Sequence, residues 1–380
     1  MTSLHISLFG LNNVNSQLAA ESQKNVSSLI IISLVSTIVA YVLVSPAVYW
    51  FWHRNHIALA HPGIFILMVF MIPIGSLCFK VQAMILGLRF NRAHNYIIFT
   101  EKALYGAVSL MFVYVGLARP ETIWYTFATT SIIGLMIGFI SLRKYYTINA
   151  RTYRSLRVVF RKVEGIEKFA AYSYVSSIFV FSIELIISTM CAKYGGIQGL
   201  GVYGVARIIV DCLSVVFEYF NGYTRTQLSA EANVGRRLKI HAIMVGIISS
   251  AAIAVGVMLY VLSPFIMNLL FKERFAGSED ILRLLAISLT FGTISAIIGV
   301  LLRTLYKNFI IVILPAFYFI NGLISALYLI PLYGAKGAAL STIVMSFTAF
   351  VCAVVSYLVI LRQYKLGKLN TTRIEFIRSE

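Results

Sequence analysis

Charged residues are scarce in this chain, and that scarcity excludes most classes of soluble protein. Only 12% of the 380 residues are charged and 59% are hydrophobic, whereas about a quarter of an average soluble domain is charged. The mean hydropathy is +0.85. This composition predicts a membrane protein that crosses the bilayer several times.

Cysteine is also rare, and its spacing excludes the usual metal and redox motifs. The four cysteines are Cys78, Cys191, Cys212 and Cys352. They stand singly, with no CxxC or Cys/His spacing around them. We therefore predict no metal site and no catalytic thiol.

Long apolar stretches are what the chain does contain. Each has about 20 or more mostly apolar residues, the length at which a helix crosses a roughly 30 Å hydrocarbon core. Such spans must be helical, because lipid offers no partner to backbone N–H and C=O groups. The ten predicted spans lie near residues 25–45, 63–86, 94–117, 122–142, 168–191, 198–222, 240–262, 281–302, 309–330 and 337–361.

The basic residues are unevenly distributed between the two sides of these spans. If the spans alternate in direction, roughly two dozen of the 32 Lys and Arg residues lie on one side. By the positive-inside rule that side is cytoplasmic, and so are both chain ends. The net charge of +18 is then a property of membrane topology, and we predict no nucleic-acid partner.

An internal similarity indicates a repeat. The sequence QLAAE at 17–21 recurs as QLSAE at 227–231, an offset of 210, and a basic turn at 86–92 has a counterpart at 301–307. Both pairs occupy equivalent places beside predicted spans. This pattern favours two parallel transmembrane halves.

The same offset gives an expectation about the beginning of the chain. The second half opens near residue 165, so an offset of 210 places the start of the first half about 45 residues before Met1. We therefore expect a six-plus-six architecture of which this chain carries the last ten helices. The alternative is a natural protein of ten spans.

Four segments carry a resemblance to a known family. In chain order they are SLFGLNN at 7–13 with QLAAE at 17–21, QAMILGLRFNR at 82–92, GLGVYGVAR at 199–207, and IPLYGAKGAALST at 330–342. They resemble segments of the O-antigen flippases, in the polysaccharide-exporting branch of the multidrug/oligosaccharidyl-lipid/polysaccharide exporter (MOP) superfamily.

This resemblance implies an all-α membrane protein of two lobes in the bacterial inner membrane. The expected parts are an N-terminal lobe at 1–145, a basic cytoplasmic linker at 146–167 and a C-terminal lobe at 168–380. It implies a transporter, not an enzyme, that flips an undecaprenyl-pyrophosphate-linked oligosaccharide to the periplasmic leaflet by alternating access. No cofactor is implied beyond coupling to H⁺ or Na⁺. The implied partners are membrane lipid, a polysaccharide polymerase and a chain-length regulator.

Basic residues near the cytoplasmic ends of the second and third spans are candidate ligands for an anionic headgroup. They are Lys80, Arg89, Arg92 and Lys102. Ionisable groups at membrane depth are costly and often mark a transport pathway, and both Lys and Arg bind phosphate. The alternative is that these residues anchor the helix ends by reaching to the interface.

Three charged residues in the second half form another candidate site. Glu184 and Arg207 lie at similar depth in consecutive spans, and Asp211 follows Arg207 by four residues on the same helix face. Arg207 is a candidate for substrate binding, and the two carboxylates are candidates for proton or cation coupling. A permanent ion-pair network is the alternative.

The connection at 143–168 is strongly basic. Arginines at 151, 154, 157 and 161 share one side of a helix, which favours an amphipathic helix on the anionic inner leaflet. A solvated linker is the alternative.

Small residues and prolines in the spans indicate close packing and bending. Glycines at 334 and 337, followed by alanines at 338 and 339, predict a close helix contact, as do glycines at 199, 201 and 204. Pro73 and Pro315 lie inside predicted spans.

Two other functions are compatible with this sequence. One is a cation-coupled exporter of drugs or small molecules with the same fold. The other is a membrane polysaccharide polymerase or ligase, which we disfavour because the predicted outer loops, near 50–62 and 263–280, are short.

Overall fold

The computed structural model describes residues 15, 19, 26–54, 62–88, 90–115, 120–143, 166–231, 233–271, 277–304 and 308–366. Within these ranges the chain is helical apart from short turns, and it contains no strand. The basic connection at 144–165, with its four arginines, lies outside the described residues, and so does Arg89.

The chain forms two compact units, Met1–Ser177 and Ile178–Glu380. The predicted lobe boundaries at 145 and 168 stay predictions. The helices described in the first unit are α1 Val26–Arg54, α2 Pro62–Gly87, α3 Asn91–Ile98, a π-helical turn Phe99–Leu104, α4 Tyr105–Tyr114 and α5 Pro120–Leu142.

The described part of the second unit comprises five helical segments, the first of which begins before the unit boundary and consists of two helical arms. They are α6 Ile166–Ala230, α7 Val234–Phe271, α8 Ser278–Thr304, α9 Asn308–Tyr333 and α10 Ala335–Lys365. α6 is interrupted at Gly196, whose φ of 69° is left-handed and therefore favours glycine.

Seven segments of the described chain are long and apolar enough to cross a membrane. They coincide with the last seven predicted spans. The first three predicted spans coincide with α1, with α2, and with the α3–π–α4 segment. The prediction of an all-α polytopic membrane protein is therefore confirmed.

Helix pairing follows the same order in both units. In the first unit α2 packs on α1 and on α5, while the α3–π–α4 segment packs on α5. In the second unit α8 packs on α7 and on α10, while α9 packs on α10. This correspondence agrees with the parallel repeat predicted from the sequence.

The second unit carries the larger described core, and glycine allows its helices to approach closely. A Cβ on Gly337 would lie 2.1 Å from the carbonyl oxygen of Leu329, and one on Gly322 would lie 2.4 Å from Met345 Sδ. The predicted close contact at the start of α10 is thus confirmed. Ala338 and Ala339 are fully buried there.

The same prediction is wrong for Gly199 and Gly204, and it stays a prediction for Gly201. A Cβ on Gly199 would make only an ordinary contact at 3.8 Å with Ala335, and one on Gly204 would meet no described atom within 4 Å. In this segment the backbone angle at Gly196 does require glycine. Pro73 and Pro315 do lie inside α2 and α9 as predicted.

Candidate functional site

The two arms of α6 meet through an ion pair. Arg207 Nη2 lies 3.0 Å from Glu184 Oε1, although these residues lie on opposite sides of the break at Gly196. The chain therefore reverses at Gly196, and the arms 174–196 and 198–228 run antiparallel. The ion pair predicted from the comparable depth of the two residues is present.

Asp211 completes a triad around the same guanidinium. Arg207 Nε donates to Asp211 Oδ1 at 2.8 Å, so one cation serves two carboxylates and the triad carries a net charge of −1 when all three groups are ionised. The side chains of Arg207, Glu184 and Asp211 are 29%, 41% and 54% exposed. Such a triad can bind a cation or a proton, or it can simply tie the two arms together.

Tyrosine and hydroxyl side chains link this triad to the interior of the second unit. Tyr203 lies four residues before Arg207 on the same arm of α6, and its hydroxyl lies 3.4 Å from Thr342 Oγ1. Ser288 Oγ donates to the Thr342 carbonyl at 3.3 Å and lies 2.8 Å from Ser346 Oγ. These buried hydroxyls join α6, α8 and α10, and no pattern in the sequence had indicated them.

In the first unit, Lys80 is completely buried between α1 and α2. Its exposed fraction is 0%, and its Nζ donates to Ser36 Oγ and Thr37 Oγ1, each at 2.9 Å. Among the described residues, no carboxylate pairs with it. In the described part of the chain only hydroxyls hold this ammonium, so an anionic partner would supply its counter-charge.

The other basic candidates are not gathered around Lys80 by any described contact. Arg92 lies exposed in the first turn of α3. Lys102 lies in the π-helical turn, with its side chain outside the described part of the chain, as is the whole of Arg89. The grouping of these four residues into one vestibule stays a prediction.

A carboxylate that was not among the predicted site residues lies on the other side of α2. Glu101, in the π-helical turn, accepts hydrogen bonds from Cys78 Sγ at 2.8 Å and from Gln82 Nε2. A Cβ on Gly134 would lie 3.1 Å from Glu101 Cγ, so α5 leaves room for this side chain. One feature of the sequence could have identified this residue: Glu101 is the only acidic residue between positions 22 and 120.

No model of a protein family matches this chain, and no curated protein matches it either. Solved structures do match over nearly its whole length. One is an outward-facing multidrug resistance MATE family transporter of the MOP superfamily, with a TM-score of 0.70 and 15% identity over 98% of this chain and 85% of that one. The chain has the fold of the MOP superfamily transporters.

Two further structures support this assignment of the MOP fold. A MATE structure in a bent conformation matches with a TM-score of 0.72 and 14% identity over 97% of this chain and 86% of that one. A MOP superfamily transporter from Pyrococcus furiosus, described as having a binding pocket of reversed polarity that suggests a different function, matches with a TM-score of 0.73. Its identity is 15% over 96% of this chain and 85% of that one.

Within this MOP fold the two units carry polar sites of opposite character. The first buries an ammonium among hydroxyls and places a carboxylate on the opposite side of the same helix. The second surrounds one guanidinium with two carboxylates. In the described part of the chain, no three His, Cys, Asp or Glu side chains are placed to hold a metal ion.

Proposed function

We propose that this protein is a membrane transporter that moves a lipid-linked oligosaccharide of the undecaprenyl-pyrophosphate type from the cytoplasmic to the periplasmic leaflet. The fold is that of transporters. The substrate class rests on the flippase-like segments and above all on Lys80, an ammonium buried among hydroxyls. A doubly charged pyrophosphate supplies the negative charge that this environment lacks.

In this proposal the first unit recognises the headgroup and the second responds to the ion gradient. Lys80 acts as a point charge for a phosphate oxygen, and Arg92, Arg89 and Lys102 extend the basic surface on the cytoplasmic side. Protonation or cation binding at Glu184 or Asp211 loosens the tie to Arg207 and changes the packing of the two α6 arms. Transport follows by alternating access, without covalent chemistry.

The location and partners follow from the same proposal. The protein lies in the bacterial inner membrane with both termini in the cytoplasm, where the basic loops are. Its product, a lipid-linked glycan on the periplasmic leaflet, is the substrate of a polysaccharide polymerase working with a chain-length regulator.

A cation-coupled exporter of small molecules is the second candidate, and one observation favours it. The triad has two carboxylates for one guanidinium, and both carboxylates are more than a third exposed. A site of that charge suits a cationic substrate. The MOP fold is equally compatible with both candidates.

Complementation separates the two. The gene, cloned with its native flanking sequence, is introduced into one strain that lacks its own O-antigen flippase and into another that lacks its main multidrug exporters. We expect surface polysaccharide to be restored in the first strain, and to be lost again with Lys80→Gln but retained with Lys239→Gln, a control at an exposed lysine. Drug resistance in the second strain without polysaccharide in the first contradicts the flippase proposal.

A further inference from the structure

The environment of Lys80 does not fit a lysine that anchors a helix end. α2 ends at Gly87, seven residues or about 10 Å beyond Lys80 along the helix axis. Because Cα–Cβ bonds tilt toward the helix N-terminus, the side chain starts in the direction away from the predicted cytoplasmic end. Its exposed fraction of 0% shows that the ammonium does not reach the protein surface, as the ammonium of an anchoring lysine would.

The hydrogen-bond arrangement explains why both hydroxyl oxygens face the lysine. Ser36 Oγ and Thr37 Oγ1 both donate to the carbonyl oxygen of Ser33, at 3.1 and 2.6 Å. With their hydrogens committed to that carbonyl, both oxygens can only accept from Lys80 Nζ. The pair therefore forms a preorganised acceptor for two N–H groups, which we name the hydroxyl holder.

The hydroxyl holder supplies hydrogen bonds, but no carboxylate in the described part of the chain compensates the charge of Lys80. The two hydroxyls are neutral and do not balance the charge of the ammonium. A buried cation without a counter-ion is costly at membrane depth. Another polar atom in this cluster has no partner among the described residues: the buried Asn15 donates to Ser33 Oγ, and its Oδ1 is left without a described hydrogen bond. These hydrogen bonds hold the ammonium in place without a counter-charge, so the cluster is not a complete binding site.

We propose that Ser36 and Thr37 are positioning residues that retain Lys80 inside the first unit until an anionic headgroup draws its ammonium away from them. This inference rests on the proposed function and deepens it by naming what regulates the headgroup ligand. The holder and the pyrophosphate compete for the same N–H donors. Only molecules in which Lys80 has left the hydroxyl holder can bind the headgroup through this lysine. The apparent affinity for the headgroup is therefore reduced in proportion to the fraction of molecules in that released state.

Removing the holder should therefore strengthen binding instead of weakening it. We would purify the protein in lipid nanodiscs and measure binding of a polyprenyl pyrophosphate and of the uncharged polyprenol of equal length. The double variant Ser36→Ala with Thr37→Val is expected to bind the pyrophosphate about tenfold more tightly and the polyprenol unchanged. Ser250→Ala with Thr348→Val is the matched control, because those hydroxyls bond only to their own helix backbone.

A double-mutant cycle with Lys80→Met tests whether the effect passes through the lysine. In the Lys80→Met background, loss of the two hydroxyls should leave pyrophosphate binding unchanged. Equal strengthening with and without the lysine, or weaker or unchanged binding in the hydroxyl variant, overturns the inference. The single variants Ser36→Ala and Thr37→Val, each expected to give part of the effect, keep the test valid if the double variant does not fold.

The outcomes separate the inference from the proposed function. If the unaltered protein binds both lipids equally, pyrophosphate recognition fails, and the proposed function and the inference fall together. If it prefers the pyrophosphate but Lys80→Met keeps the whole preference, the function stands and the inference is wrong. A preference that depends on Lys80 and increases without the hydroxyls supports both.

Discussion

Replacing Arg207 with methionine perturbs the triad most directly, because it leaves two carboxylates facing each other without a cation. Glu184 and Asp211 both bond to the guanidinium, at 3.0 and 2.8 Å, so its removal costs both bonds and adds repulsion. Removing one partner of a fully buried pair costs about 3–5 kcal/mol. Since Arg207 is 29% exposed, we expect a smaller loss, about 2 kcal/mol.

The two carboxylates should not contribute equally. Glu184 joins the two arms of α6, so Glu184→Gln is expected to cost about 1 kcal/mol, at the upper end for an exposed ion pair. Asp211 lies on the same helix as Arg207 and is 54% exposed, so Asp211→Asn should cost less than about 0.5 kcal/mol. The predicted order of destabilisation is therefore Arg207→Met, then Glu184→Gln, then Asp211→Asn.

The free energy of unfolding in mixed detergent micelles, measured by titration with a denaturing detergent, tests this order. Arg207→Met combined with Glu184→Gln should be less destabilised than the sum of the single variants, because the second change removes a carboxylate that the first left uncompensated. Strict additivity, or an Arg207→Met protein as stable as Glu184→Gln, would refute the triad as a coupled unit.

Three further predictions concern packing, an exposed ion pair and orientation. Gly337→Ala should destabilise the protein by about 2 kcal/mol or more, because the new Cβ would lie 2.1 Å from a backbone oxygen of α9. Gly246→Ala is the control: the space around Gly246 is open, so this change should be neutral or stabilising by up to about 1 kcal/mol. Thermal unfolding measures both variants. Lys336→Met breaks a pair with Asp280 that is about half exposed, so the same measurement should change by less than about 1 kcal/mol. Single cysteines introduced at Lys239 and Lys336 should react with an impermeant maleimide from the cytoplasmic and the outer side respectively, and reaction of both from one side contradicts the predicted topology.

Much of the fold could be predicted because membrane insertion makes strong demands on a sequence. The spans follow from apolar length, and the Glu184–Arg207 pair follows from equal depth in consecutive helices. Depth along a helix does not reveal which neighbour a side chain faces, however. The sequence therefore placed Lys80 near the cytoplasmic end but could not show that it is held by Ser36 and Thr37, more than 40 positions earlier.

Glu101 was overlooked for a different reason. The candidate ligands predicted in the first half were all basic, and the partners of Glu101 are a thiol and an amide, which no charge pattern indicates. The π-helical turn that carries it, Phe99–Leu104, changes the helical phase, so a periodicity of 3.6 residues cannot give the face on which Glu101 lies. Such turns depend on tertiary packing, here with α5.

The reversal of α6 at Gly196 also bears on how the protein enters the membrane. A charged residue at the centre of an isolated span costs about 2.5–3.5 kcal/mol during insertion by the translocon, and the two arms bring Glu184, Arg207 and Asp211. Because the arms are joined tightly and Arg207 contacts both carboxylates, they can partition into lipid together as one hairpin with most of that charge already neutralised. We expect the second arm to be needed for efficient insertion of the first during synthesis.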